Sequence, residues 1–251
     1  MIEANGLKVA FGSKTVIDGI DMFAEKGKTL VVLGKNGSGK SVLLKAAAGL
    51  VDATEGGIRI GGIDASDIFG SQKKHLDNAN DVRVAYVFQK GGLFDSMNVF
   101  DNTAFGLVRM GMEPAQIEER VLAALKRVGL EGSAEKLPSE LSGGMQKRVG
   151  IARAVCMEPD VILYDDPTAG LDPVLSDSIA DLILEIRDSV LATSVVVSHD
   201  LQVVEKIADK IMLLYAGRAV FTGTAIDFFS KQNEYARQFI EGSQSGPIDI
   251  F

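Results

Sequence analysis

The chain has 251 residues, 46% of them hydrophobic and 24% charged, which excludes an intrinsically disordered protein. Its 26 basic and 34 acidic residues give a net charge of −8, which argues against a nucleic acid as the main partner. The single Cys156 cannot form an internal disulfide, so a reducing compartment is expected. No apolar run approaches the roughly 20 residues that cross a bilayer, and Glu3 stands where a signal peptide carries positive charge. We therefore expect a soluble cytoplasmic protein.

Strands and helices are predicted to alternate along most of the chain. Glycine-punctuated stretches at 1–27 and 55–63 indicate twisted antiparallel strands. Continuous runs of Val, Ile and Leu are typical of strands buried on both faces, and they lie at 29–33, 82–88, 161–164, 194–197 and 210–214. Helical stretches are predicted at 40–50, 173–187 and 201–208. This order predicts an α/β core with right-handed crossovers.

Residues 99–157 interrupt this alternation, because they contain no convincing strand. Pro114 suits the first turn of a helix there, and the apolar face of that helix is predicted to comprise Ile117, Val121, Leu122, Leu125 and Val128. Residues 91–158 are therefore interpreted as a helical insertion between two halves of the sheet. His75 lies in a polar stretch before the insertion and is predicted to be solvated.

A phosphate-binding loop is predicted directly after the strand at 29–33. The pattern GxxxxGK[ST] is formed by Gly34, Lys35, Asn36, Gly37, Ser38, Gly39, Lys40 and Ser41. Glycines allow successive backbone amides and the helix N-terminus to face an anion. Lys40 is expected to reach the β- and γ-phosphates, and the Ser41 hydroxyl to bind Mg²⁺. The alternative is a glycine-rich turn with an incidental lysine.

Two aspartates end the strand at 161–164. Asp165 and Asp166 have the placement of a Mg²⁺-water ligand and its neighbour in a phosphate-loop ATPase. The alternative is that this acidic strand end caps the next helix. Beside a phosphate loop, the catalytic interpretation is favoured.

The stretch Leu141-Ser142-Gly143-Gly144-Met145 leads into a predicted helix, and here the sequence resembles the ATP-binding cassette (ABC) transporter ATPases, whose signature is LSGGQ. Further matches follow in chain order. Phe11 matches the adenine-stacking aromatic, residues 34–41 match Walker A, and Gln89 matches the Q-loop glutamine. Asp165 matches Walker B, residues 169–172 match the D-loop, and His199 matches the switch histidine. The resemblance implies an α/β, P-loop NTPase fold with a RecA-like core and antiparallel β subdomain (1–90 and 159–230), a helical signature subdomain (91–158) and a C-terminal extension (231–251).

The resemblance also implies an ATPase that uses ATP and Mg²⁺. The implied catalytic residues are Lys40, Gln89, Asp166 and His199, and the implied metal ligands are Ser41, Gln89 and Asp165. Phe11 is implied to stack on adenine, although a strand aromatic is usually a core residue. His199 has the alternative role of capping the helix at 201–208.

The signature residues Ser142, Gly143 and Gly144 open a helix and can bind an anion through backbone N–H groups. The loop at 34–41 already serves the phosphates of this chain. The resemblance therefore implies that the signature completes the site of a second subunit, and that a homodimer holds two ATP molecules.

Two departures from the ABC pattern bear on the chemistry. Asp166 stands where the family usually has glutamate, one methylene longer, and a misplacement near 1 Å costs about 100-fold when catalysis is mostly positioning. Hydrolysis is therefore expected to be retained but slow, unless the backbone compensates. Met145 replaces the signature glutamine and is expected to be tolerated, since the preceding amides carry the anion binding.

Two peripheral segments and the LSGGM signature resemble the ATPases of Mla-type transporters, which serve MCE-domain lipid-binding proteins. One segment, LFxxMNVFDN, begins at Leu93 and includes Phe94 and Met97. These residues either pack beneath the helical lobe or line a groove for a permease helix near the Q-loop. The other is the terminal FxxGxxxGP, whose residues 242–246 read either as a flexible linker or as part of a dimer clasp, and apolar residues follow it at Ile248, Ile250 and Phe251.

This resemblance implies a subunit at the cytoplasmic face of a bacterial inner membrane, paired with a membrane permease and an MCE-domain protein, in phospholipid transport between membranes. One alternative is the ATPase of a small-molecule importer for amino acids or metal chelates. The other is an ATP-gated clamp without a transport role.

Overall fold

A computed structural model describes residues 1–69 and 82–249, so the predictions for His75, Ile250 and Phe251 lie outside the described residues. Within these described ranges, ten strands form two sheets. The antiparallel sheet has the order β2-β1-β4-β5 and comprises β1 (Ile2–Phe11), β2 (Lys14–Ala24), β4 (Glu55–Ile60) and β5 (Ile63–Asp64). The other sheet has the order β10-β9-β3-β8-β7-β6 and comprises β3 (Thr29–Gly34), β6 (Val84–Val87), β7 (Val161–Asp165), β8 (Thr193–Val197), β9 (Lys210–Tyr215) and β10 (Arg218–Thr224).

Helices flank the six-stranded sheet and fill the predicted insertion. They are α1 (Lys40–Ala47), α2 (Ala65–Phe69), α3 (Val99–Arg109), α4 (Pro114–Arg127), α5 (Gly143–Val155), α6 (Pro173–Val190), α7 (Leu201–Ile207), α8 (Ala225–Phe229) and α9 (Glu234–Glu241). Among the residues that the structure describes, none of these helices is long and apolar enough to span a bilayer.

The six-stranded sheet separates two hydrophobic cores, which explains its continuous apolar runs. Along β3, Val31 and Leu33 pack into one core, whereas Leu30 and Val32 pack into the other. Strands β3, β6, β7, β8 and β9 are parallel, so their carboxyl ends meet at one edge, where α/β proteins bind ligands.

The five predicted core strands are confirmed, with bounds that shift by one or two residues. Helix α1 ends at Ala47, earlier than predicted, because a turn follows in which Gly49 has a φ of +64°. The assignment of Leu122 to the apolar face of α4 is wrong, since Leu122 is 46% exposed. The other four members of that face are buried, one or two turns apart: Ile117, Val121, Leu125 and Val128.

Strand β10 is missing from the sequence prediction. It pairs antiparallel with β9 at the edge of the sheet, and its residues are exposed or half-buried along its whole length. An edge strand with little burial has no continuous apolar run, so the pattern that predicts the other strands is absent from β10.

Candidate active site

The phosphate loop connects β3 to α1 at the carboxyl edge of the sheet, as predicted. At Gly34 and Gly39, a side chain would collide with neighbouring atoms, and the backbone φ angles also favour glycine. A Cβ at Gly34 would lie 2.4 Å from the Leu214 carbonyl oxygen, and one at Gly39 would lie 2.6 Å from a methyl of Ile17. Their φ angles are +152° and +106°, in the region that glycine adopts readily. The loop is therefore packed tightly against β9 and β2.

The Lys40 ammonium is held by its own loop. Its Nζ donates to the carbonyl oxygens of Gly34 at 2.6 Å and Lys35 at 3.0 Å. Burial lowers the pKa of Lys40, while the carboxylates of Asp166 and Asp165 act in the opposite direction. A cation placed in this way at the start of a helix complements an incoming anion.

Asp165 is held through both carboxylate oxygens. Ser41 Oγ donates to Asp165 Oδ1 at 2.9 Å, and the Tyr86 hydroxyl donates to Asp165 Oδ2 at 2.9 Å. The structure thus brings together the hydroxyl and the carboxylate that were predicted as metal ligands. Hard oxygen donors of this kind suit Mg²⁺, which uses one or two protein ligands together with substrate phosphates. The residues present therefore fit the ion.

Asp166, Gln89 and His199 form a second group beside the loop. Both oxygens of Asp166 lie within 3.1 Å of His199 Nδ1, and Gln89 Nε2 donates to Asp166 Oδ2 at 3.5 Å. Asp166 has a φ of +51°, and its amide donates to the Val197 carbonyl oxygen at 3.0 Å. Burial raises the pKa of Asp166, and His199 is the largest opposing influence.

The capping alternatives for these residues are wrong. Helix α6, the first helix after β7, is capped by Asp172, whose side chain accepts from two amides of the first turn. Helix α7 is capped in the same way by Asp200. Asp165, Asp166 and His199 therefore do not cap these helices, and they lie at the carboxyl edge of the sheet.

A cavity of about 280 Å³ lies between the two groups. Its lining residues are Val16, Asn36, Gly37, Gly39, Lys40, Ser41, Val42, Gln89, Asp165, Asp166 and Val197. Phe11 is not among them. It lies at the end of β1 with 52% of its surface exposed, so the alternative that it is a core residue is wrong.

The signature residues do not line this cavity either. Ser142 caps α5, its Oγ accepting from the Met145 amide at 3.3 Å. Gly144 packs against Leu175 at the start of α6, where an added Cβ would lie 3.5 Å from a methyl group. The signature and the phosphate loop of one chain therefore occupy separate places, as the resemblance implies.

The tail contacts its own chain, which sequence reasoning missed. The buried Gln238 side chain donates to the carbonyl oxygens of Ser243 at 3.2 Å and Ile248 at 2.9 Å, and its Oε1 accepts from the Ile248 amide at 2.6 Å. Lys35 Nζ in the phosphate loop donates to the Asp249 carbonyl oxygen at 3.1 Å. Residues 242–246 therefore turn the chain back onto α9, which argues against the alternative of a flexible linker. The apolar Ile248 was the one available signal, and it is 9% exposed.

Of the three residues predicted to line a groove for a permease helix, the structure exposes one. Phe94 is 42% exposed and packs on the Phe105 ring at a centroid distance of 4.6 Å. Leu93 and Met97 are half-buried, and Leu93 packs against the core. Phe88, next to Gln89, adds a second exposed aromatic with 41% exposure.

Comparisons of the sequence and of the structure with known proteins both find ATP-binding cassettes. A model of the ABC transporter family matches residues 17–169. The chain is 37% identical to a probable ribonucleotide transport ATP-binding protein, mkl, of Mycobacterium tuberculosis, over 99% of this chain and 68% of mkl. It is 34% identical to the intermembrane phospholipid transport system ATP-binding protein MlaF of Escherichia coli, over 99% of this chain and 91% of MlaF. A dimeric ATP-binding cassette, MJ0796, bound to ADP and Pi, superposes with a TM-score of 0.76 at 27% identity, covering 90% of this chain and 99% of that one.

Proposed function

The chain belongs to the ABC transporter family and is an ATPase, and from this premise we propose that it drives a membrane permease in phospholipid transport between membranes. One observation carries the lipid assignment: the similarity to MlaF covers 91% of MlaF as well as 99% of this chain, whereas mkl, also matched over 99% of this chain, is covered only to 68%. The similarity to mkl, a probable ribonucleotide transport ATP-binding protein, makes small-molecule transport the alternative that an experiment must separate.

Each side chain of the site has a proposed role in hydrolysis. The loop at 34–41 holds the phosphates, with Lys40 at the β- and γ-phosphates, and Phe11 stacks on adenine. Ser41, Asp165 and Gln89 would hold Mg²⁺, which would supply positive charge at the phosphates. Asp166 accepts the proton of the attacking water, or orients that water. His199 hydrogen-bonds the γ-phosphate and keeps Asp166 in place.

A homodimer completes the site. Ser142, Gly143 and Gly144 lie away from the cavity of their own chain, so their amides are available to the nucleotide of a second copy. Val174 and Leu175, beside this signature, are 78% and 40% exposed, which suits burial against that copy. ATP shifts the equilibrium to the closed dimer because it contacts both subunits only in that state. The tail at 231–249 folds back on its own chain through Gln238, and we propose that its outer surface contacts the second subunit as a clasp.

The permease docks beside Gln89. Phe88 and Phe94 expose aromatic surface within six residues of each other, and exposed aromatics are enriched among the anchors of protein interfaces. This placement puts the docking site next to the group that contacts Asp166. The complex then lies at the cytoplasmic face of the inner membrane, with an MCE-domain protein as its lipid-binding partner.

The test is isolation of the intact complex in detergent from native membranes through a tag on this chain, followed by mass spectrometry of proteins and lipids. A polytopic permease and phospholipid above the level of a mock purification are expected. A permease without enriched phospholipid would contradict the lipid assignment and favour the small-molecule alternative. Recovery of DNA or ribosomes without a permease would contradict the transport role.

A test variant and a matched control examine the proposed docking site. Phe94→Ala is expected to reduce permease recovery at least about tenfold, as the loss of a buried aromatic anchor costs 2 kcal/mol or more. The matched control is Ile226→Ala on α8, where Ile226 is 83% exposed and lies outside the insertion. Equal recovery with both variants would place the permease elsewhere.

A further inference from the structure

A buried lysine joins the signature helix to the segment that carries Gln89. Lys147 lies in the second turn of α5 and is 7% exposed. Its Nζ donates to the main-chain carbonyl oxygen of Gln89 at 3.0 Å. None of the sequence motifs includes Lys147, so the site described above leaves this ammonium without a role.

Two further contacts hold the same segment on α5. Arg153 donates to the carbonyl oxygens of Gly92 at 2.8 Å and Gly91 at 2.9 Å. Gly150 packs directly on Gly91, because a Cβ at Gly150 would lie 3.0 Å from the Gly91 oxygen. Residues 89–92 are thus attached to α5 at three points along its length.

The attachment continues to the catalytic carboxylate. The backbone of Gln89 is held by Lys147, and its side chain donates to Asp166, which in turn contacts His199. A continuous polar path therefore runs from α5 to the end of β8.

The energetics argue against a purely structural role. Within residues 1–69 and 82–249, Lys147 has no carboxylate within 4 Å, and the residue is buried. A buried ammonium is costly to desolvate, and an apolar side chain of similar length is often neutral or stabilising in such a place. Retention of a charge at such a cost, next to Asp166, is typical of a functional group.

We propose that Lys147 is a positioning residue for ATP hydrolysis. Lys147 holds the main chain of Gln89, so that the side-chain amide of Gln89 stays beside Asp166. Since α5 begins at the signature, the arrangement links the place where a second nucleotide binds to the carboxylate of this chain's own site. The inference rests on the proposed roles of Gln89 and Asp166.

The test compares steady-state ATPase kinetics of wild type, Lys147→Met and Lys147→Arg. Lys147→Met is expected to lower kcat by about 10- to 100-fold, as expected for a misplacement near 1 Å, with the KM for ATP within about twofold. A change confined to kcat separates positioning from binding, because the loop at 34–41 is untouched. Lys147→Arg keeps a cationic donor and is expected to recover most of the lost kcat.

Two controls make the result interpretable. Lys126→Met removes an exposed lysine of α4 from the same insertion and is expected to leave kcat unchanged. Thermal unfolding and nucleotide binding by calorimetry check that each variant is folded and binds ATP. If Lys147→Met does not fold, Lys147→Ala, which also removes the donor to the Gln89 carbonyl oxygen, takes its place with the same expected fall in kcat.

Wild-type kcat in Lys147→Met would overturn the proposal, and so would a rise in KM at constant kcat. Folded Lys147→Arg as slow as Lys147→Met would overturn it too. Each of these results requires that wild type turns over ATP. A wild-type protein without turnover would instead contradict the proposed function.

Discussion

The Nδ1 atom of His199 lies 3.1 Å from Oδ1 and 3.0 Å from Oδ2 of Asp166, so that one imidazole contacts both carboxylate oxygens. The contact joins the ends of β7 and β8, which are neighbours in the sheet. The His199 side chain is 57% exposed, whereas that of Asp166 is 17% exposed. The imidazole therefore stands between the carboxylate and the solvent.

His199→Ala is expected to lower kcat and to change its pH dependence. Burial raises the pKa of Asp166 and His199 opposes that rise, so removing the imidazole raises the pKa further. Asp166 must be ionised to act as a base, and activity is lost as pH falls through its pKa. The acid limb of the kcat profile should therefore move to higher pH. A limb that stays in place or moves to lower pH would contradict the assigned pair.

Lys40→Ala is expected to abolish ATP turnover, because it removes the cation from the β- and γ-phosphates. Steady-state hydrolysis measures the loss, and calorimetric titration with ATP measures the accompanying fall in affinity. The matched control is Lys45→Ala, which removes an exposed lysine from the same helix α1. Retained turnover in Lys40→Ala would contradict the assignment of the loop.

Asp166→Glu is expected to raise kcat. The Asp166 carboxylate is held by His199, and its contact with Gln89 is 3.5 Å long, so an added methylene extends it toward the cavity. The gain should reach up to about 100-fold, as for a carboxylate brought into position by about 1 Å. Turnover of the two proteins under saturating ATP measures it. A large drop in the glutamate protein would show that the backbone at Asp166 already compensates for the shorter side chain.

Gln238→Leu is expected to release the tail from its own chain. The variant leaves the amide and carbonyl of Ile248 and the carbonyl of Ser243 without their partner, at a cost of about 1–3 kcal/mol. Hydrogen exchange of residues 243–249, followed by mass spectrometry, should accelerate by about 5- to 150-fold. Gln202→Leu changes an exposed glutamine on α7 and serves as the control. Unchanged exchange in Gln238→Leu would show that the tail is held by other contacts.

The sequence predicts the parts of this molecule that obey local rules. The loop at 34–41 lies in the strand–loop–helix context it requires, and the apolar runs of the core strands follow from burial on both faces. The same rules place Asp165 and His199 at strand ends, where parallel topology brings them to one edge.

The groups that sequence reasoning missed act across the sheet or between elements. Tyr86 reaches Asp165 only because β6 and β7 are neighbours, although 79 residues separate the two side chains. Lys147 resembles any helix lysine until the packing of α5 is known. Gln238 lies in a polar helix, and its role depends on a turn at Gly242 that reverses the chain. No periodicity or motif carries such pairings.

The position of β3 in the sheet decides when the site can be assembled. Its two neighbours are β8 and β9, so the strand that ends in the phosphate loop is flanked by residues from the last quarter of the chain. A growing chain that has made the loop still lacks both flanking strands, and Asp165 with Ser41 is a contact over 124 residues. Contacts of such long range form late in folding. ATP competence should therefore be acquired in one step, only after β8 and β9 have been synthesised.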